Sequence, residues 1–129
     1  MLRVFLDAKV LFSAAYGEGS GLRALWKRPD VELITSGYAA EEARRNLDTA
    51  DRRLRLEELL AAVRIGPEAP HIPLPAGVRL PEKDAPILRA AMAAGATHLL
   101  TGDLRDFGHL LGRRVAEIDV QTPGDFLRR

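Results

Sequence analysis

The sequence predicts an α/β protein: a three-layer α/β/α sandwich around a mainly parallel central sheet. Three observations lead there. Short apolar runs recur at residues 3–6, 31–35 and 97–101, each too short for a helix and rich in branched or aromatic side chains. Helical patterns separate them, and strands that alternate with helices form parallel sheets covered on both faces. The chain has 129 residues and is 47% hydrophobic, which suits one domain over residues 1–129 with one core.

Along the chain, Arg3 to Leu6 is a buried strand that stops at Asp7. A helix follows over Val10–Tyr16, then a Gly-rich turn at Gly17–Gly21 and a short helix over Leu22–Lys27. Pro29-Asp30 breaks that helix, and Val31–Thr35 is the next strand. Ser36 caps a helix running through Leu47, and Asp51 starts another that reaches Ala61 or Ala62. Val63–Ile65 is a short strand. The segment 66–81 holds five of the eight prolines and is read as a loop. Glu82–Ala94 is a helix closed by Gly95 at the position that favours glycine. A strand at Thr97–Thr101, one at Val115–Ile118 and a last helical turn at Pro123–Leu127 complete the order.

Nineteen Lys and Arg stand against eighteen Asp and Glu, a net charge of +1, so bulk charge does not hold nucleic acid or an anionic membrane. All but Lys9, Lys27 and Lys83 of these cations are arginines, which suit bidentate contacts. The absence of cysteine excludes disulfide scaffolds, Cys-zinc sites and thiol nucleophiles. Asp7 and Lys9 interrupt the first apolar stretch too early for a signal peptide, and no run is long enough to span a membrane. A soluble cytoplasmic protein is expected.

Asp7 and Asp103 each follow an apolar strand, where α/β sheets bind their ligands. Asp84 falls in register with Ile87, Leu88 and Ala91 on the apolar stripe of its helix, where a carboxylate needs a partner or a metal. Glu42 shares an inward stripe with Ala39, Ala43, Asn46 and Leu47, whereas Glu41 faces outward. Two such charges ~5 Å apart repel by about 3 kcal/mol at an effective dielectric near 20. A hard divalent cation relieves that repulsion, and oxygen ligands point to Mg²⁺ or Mn²⁺. Phosphodiester hydrolysis is the chemistry best suited to this arrangement.

Several stretches together resemble the PIN-domain family of metal-dependent ribonucleases. They are Val4-Phe5-Leu6-Asp7-Ala8-Lys9-Val10-Leu11, Ser36 to Leu47, Glu82-Lys83-Asp84-Ala85-Pro86-Ile87-Leu88, Ala94 to Asp103, and the closing Thr122-Pro123-Gly124-Asp125-Phe126-Leu127. The resemblance implies an acidic site of Asp7, Glu42, Asp84 and Asp103, with Asp106 as a fifth acid. It implies Mg²⁺ or Mn²⁺, cleavage of single-stranded RNA by activated water, frequent homodimers, and an antitoxin partner where a member is a toxin. Thr101, Arg44 and Arg45 are the candidate substrate contacts. Arg44, Arg45, Arg52, Arg53 and Arg55 stand against only Asp48 and Asp51 in that stretch, an excess that either guides phosphates or forms a solvated face.

One position departs from the family pattern. Lys9 stands where Asn, Ser or Thr is usual, two residues after the first Asp. This opens an alternative, an RNA- or partner-binding module in which Lys9 occupies the metal site. An aspartate-nucleophile phosphatase has similar motifs, but it needs a general-acid Asp where Lys9 stands.

Overall fold

The computed structural model describes residues 1–17 and 21–128; Glu18, Gly19 and Ser20 of the expected Gly-rich turn lie outside the described residues. The strands are β1 (Leu2–Leu6), β2 (Val31–Ser36), β3 (Arg64–Gly66), β4 (His98–Leu100), β5 (Arg114–Val115) and β6 (Ile118–Gln121). They form one sheet in the order β3-β2-β1-β4-β6-β5, parallel throughout except for the β5–β6 pair. In β1, Val4, Phe5 and Leu6 are all fully buried. Successive strand residues point to opposite faces, so helices must cover both.

The chain runs outward from β1 in two directions. β2 and β3 extend one side, and β4, β6 and β5 extend the other. The order therefore reverses between β1 and β4, where open parallel sheets leave a crevice beyond the strand ends. Leu6 lies opposite Leu100 in that pair. Asp7 and Thr101 consequently leave the sheet side by side.

The α-helices are α1 (Ala8–Tyr16), α2 (Gly37–Asn46), α3 (Ala50–Leu60), α4 (Ala85–Ala93), α5 (Leu104–Phe107) and α6 (Pro123–Leu127), and Gly21–Lys27 is a 3-10 helix. α1 buries Ala8, Val10, Leu11, Ala14 and Ala15, a small-residue face that lets it lie close to its neighbours. α2 starts as expected, with the Ser36 hydroxyl accepting from the Ala39 N–H at 3.1 Å. α4 ends in a complete Schellman motif. Ala96 N–H donates to Ala91 O and Gly95 N–H to Met92 O, with Gly95 at φ 66°.

Two expected elements differ. The helix predicted from Glu82 begins only at Ala85, because Pro86 cannot donate to the residue 82 carbonyl and its ring would clash with it. Residues 81–84 instead make a tight turn, with Asp84 and Ala85 N–H both donating to Pro81 O. The single strand predicted at Val115–Ile118 is a hairpin, with Val115 paired to Ile118 across a two-residue turn. Ala116 and Glu117 there take φ 49° and 66°, a primed turn that the sequence did not signal because neither residue is Gly or Asn. The four-residue α5 was also unforeseen, being too short to show periodicity.

Candidate active site

The crevice between β1 and β4 is built from strand ends. Asp7 caps α1: one carboxylate oxygen accepts from Ala8 N–H at 2.6 Å, and the other accepts from the Thr101 hydroxyl at 2.7 Å. That same hydroxyl accepts from the Asp103 N–H at 3.0 Å. Thr101 is fully buried and ties Asp7 to the Asp103 backbone. Asp103 in turn caps α5 by accepting from Asp106 N–H at 3.1 Å. One hydroxyl and one short helix thereby fix three acids relative to one another. Gly102 separates Thr101 from Asp103, and a Cβ there would meet only Lys9 Cβ, at 3.7 Å.

Asp84, Asp103 and Asp106 each offer a carboxylate oxygen, and these oxygens lie within 4.8 Å of one another. Asp7 and Glu42 join them around a cavity of about 390 Å³, whose lining also includes Lys9, Lys83 and Arg105. All five expected acids therefore share one space, with Asp106 in its closest trio. Glu42 is half-buried there, and Glu41 is exposed as its helix phase requires.

The crowding shows in the electrostatics. Burial pushes the Asp7 carboxyl above its ordinary range; the Thr101 hydroxyl and Ala8 N–H oppose this, while Glu42 and Asp103 add to it. Burial, assisted by the carboxyl of Asp106, raises Asp84 to about 6 despite the opposing Lys83. Asp106 is held low, chiefly by Lys83 and then by Asp84. The Lys83 ammonium lies 2.8 Å from Asp106 and 3.2 Å from Asp84 and is held protonated by both. Its backbone carbonyl accepts from the Tyr38 hydroxyl at 2.5 Å.

Two lysines reach the acids, Lys9 and Lys83. Among the described residues Lys9 pairs with one acid, Asp103, at 3.9 Å, and its side chain is exposed to much the same degree as that of Lys83. Lys83, adjacent to Asp84 in the sequence, is the ammonium that bridges two of the acids. Adjacency was the available signal, and a continuous helix through residue 82 hid it by sending neighbouring side chains apart. Arg44 and Arg45 do not line the acidic cavity. Arg44 is engaged by Glu57 through two contacts at 2.7 and 3.1 Å and by Glu41 at 3.4 Å. Arg105, which no sequence motif marks, lines the cavity and is exposed.

Such a cleft, with carboxylates converging at the ends of parallel strands around a polar cavity, defines a class of α/β domain equipped to hold a divalent cation. The PIN-domain family model matches residues 3–105, and the chain belongs to that family. Its fold is similar to VapBC2 from Rickettsia felis, solved bound to a DNA fragment from its promoter, at 15% identity and TM-score 0.61, covering 94% of this chain and 98% of that one. It is also similar to VapBC-1 from nontypeable Haemophilus influenzae, at 16% identity and TM-score 0.62 over 95% and 99% of the two chains. FitAcB from Neisseria gonorrhoeae aligns at 16% identity and TM-score 0.52, over 94% and 98%. Comparison with curated proteins gives no match. Among the described residues no helix is long and apolar enough to cross a membrane.

Proposed function

We propose that this chain is a Mg²⁺- or Mn²⁺-dependent endoribonuclease that hydrolyses single-stranded RNA. The observation that carries the reading is the trio Asp84, Asp103 and Asp106, with oxygens within 4.8 Å, beside the buried Asp7. The donors are hard oxygens, the type that Mg²⁺ and Mn²⁺ take. The three aspartates would hold the ion, with Asp7 and Glu42 completing the negative wall. When bound, such an ion activates water and stabilises charge on a phosphate. Asp7 is held to one orientation by Thr101 and Ala8. Lys9 and Arg105, exposed at the cavity edge, are better placed than Arg44 or Arg45 to meet RNA phosphates.

Family membership supports the nuclease reading, and the likeness in fold to the VapBC and FitAcB assemblies supports an antitoxin protein as partner. We extend the proposal to a single cytoplasmic domain acting as a homodimer. The alternative reading, in which Lys9 occupies the metal site, rests on its place in the cavity lining and its 3.9 Å approach to Asp103, one acid of the trio.

The test is cleavage of a labelled unstructured RNA with Mg²⁺ or Mn²⁺. Asp7→Asn and Asp103→Asn should each lower the rate by about 100-fold or more, since removing charge from such a shell loosens the ion and misplaces the water. RNA left intact by the wild type under both metals, at enzyme in excess over RNA, sinks the proposal.

A further inference from the structure

We infer that Lys83 is a built-in competitor of the divalent ion: its ammonium bridges Asp84 and Asp106, and metal binds by displacing it. This rests on the metal reading above and assigns a residue that sets the ion's affinity. The geometry is specific. Two of the three carboxylates in the trio are the two that Lys83 contacts, at 3.2 and 2.8 Å. Their contact oxygens cannot serve an ammonium and a metal equally, because both cations seek the same lone pairs.

The arm is built to leave. Two-thirds of the Lys83 side chain is exposed, so the displaced ammonium passes directly into water without a buried, unpaired charge. Its backbone stays in place, because the Tyr38 hydroxyl holds the Lys83 carbonyl. Without the ion, the ammonium offsets the repulsion between Asp84 and Asp106 and keeps the turn before α4 drawn toward α5. Lys9 does not share this role, since at 3.9 Å from Asp103 it is beyond hydrogen-bond reach and touches one acid of the trio.

Titration calorimetry with MnCl₂ on the full chain tests this, using Lys83→Met, Lys83→Gln and Lys9→Met. All three variants remove one positive charge, so bulk charge is matched. Lys83→Met and Lys83→Gln should bind Mn²⁺ about tenfold more tightly than wild type, about 1.4 kcal/mol. Lys9→Met should stay within about threefold. The rise in melting temperature on adding Mn²⁺ should be larger for both Lys83 variants than for wild type. Equal or weaker binding by the Lys83 variants overturns the inference while leaving the metal reading intact. An equal gain in Lys9→Met also overturns it, because bulk charge then suffices. Absence of Mn²⁺ binding by every form refutes the metal reading and this inference with it.

Discussion

Thr101→Val is the sharpest perturbation of this architecture, because it preserves side-chain shape and removes one buried oxygen. The lost hydroxyl leaves an Asp7 carboxylate oxygen without its donor at 2.7 Å and the Asp103 N–H without its acceptor at 3.0 Å. A buried group stripped of its partner costs about 1–3 kcal/mol, with charged groups at the upper end, so losing both partners should cost about 2–6 kcal/mol. An unfolding entropy of about 2.1 cal/mol/K per residue amounts to ~0.27 kcal/mol/K for this chain, so the melting temperature should fall by about 7–22 °C. Thr101→Ser keeps both hydrogen bonds and loses one buried methyl, about 1 kcal/mol or roughly 4 °C. The Thr101→Val deficit should also be greater at pH 8 than at pH 5. Burial already raises the Asp7 carboxyl, the Thr101 donor opposes that rise, and a protonated Asp7 needs the donor less. Thermal melts of the three proteins at both pH values are sufficient. Equal melting temperatures for Thr101→Ser and Thr101→Val, or a Thr101→Val deficit independent of pH, would refute the reasoning.

Metal-free protein should become more stable as pH falls from about 7 toward 5. Asp84, raised to about 6, binds its proton more readily folded than unfolded, so stability is lost as pH rises from the unfolded carboxyl range through 6. Mn²⁺ should reverse that trend by competing with the proton, and melts with and without the ion decide it. Arg105→Ala should lower the salt dependence of RNA binding by about 0.7 in log–log slope, the value for one phosphate contact on a single strand, while Arg44→Ala should leave the slope unchanged. Filter binding across a salt series separates the two. The double variant Ala116→Asn, Glu117→Gly should raise stability by about 1 kcal/mol, since both positions hold a left-handed backbone that costs a side chain with Cβ about 1–2 kcal/mol. An unchanged or lower melting temperature would contradict that strain.

What the sequence disclosed and what it withheld follow from how local each cause is. The β1 and β4 runs were legible because strands buried on both faces need continuous apolar residues, and Asp7 and Asp103 were legible because they end those runs. Glu42 was distinguished from Glu41 by helix phase alone. The Lys83 bridge was not legible, because it depends on where Pro86 stops a helix and on a pairing between residues 23 positions apart. The hairpin at Ala116-Glu117 escaped because its turn is imposed by strand pairing against the local preference of both residues.

The arginine-rich stretch needs a different account from the two the sequence offered. α1 has no basic residue in its last turn, and its final carbonyls lack helical partners. Arginines from elsewhere satisfy them: Arg23 donates to Ala14 O and Gly17 O, Arg55 to Ala15 O, and Arg52 to Tyr16 O. Arg53 caps Leu47 O in the same manner just beyond α2. A guanidinium suits this work because its fork donates along several directions at once and stays charged, which also favours the negative end of a helix. Arg52 additionally covers the Tyr16 ring at 3.8 Å and pairs with Asp48 at 2.8 Å. Four of the arginines, Arg23, Arg52, Arg53 and Arg55, are thus used to close helix ends. α1 carries Asp7 at its opposite end, so this arginine socket and the Thr101 hydroxyl hold the same helix from both sides. A nearly neutral chain can on these terms present a cleft in which five acids outnumber three cations, because part of its positive charge is committed to backbone carbonyls elsewhere.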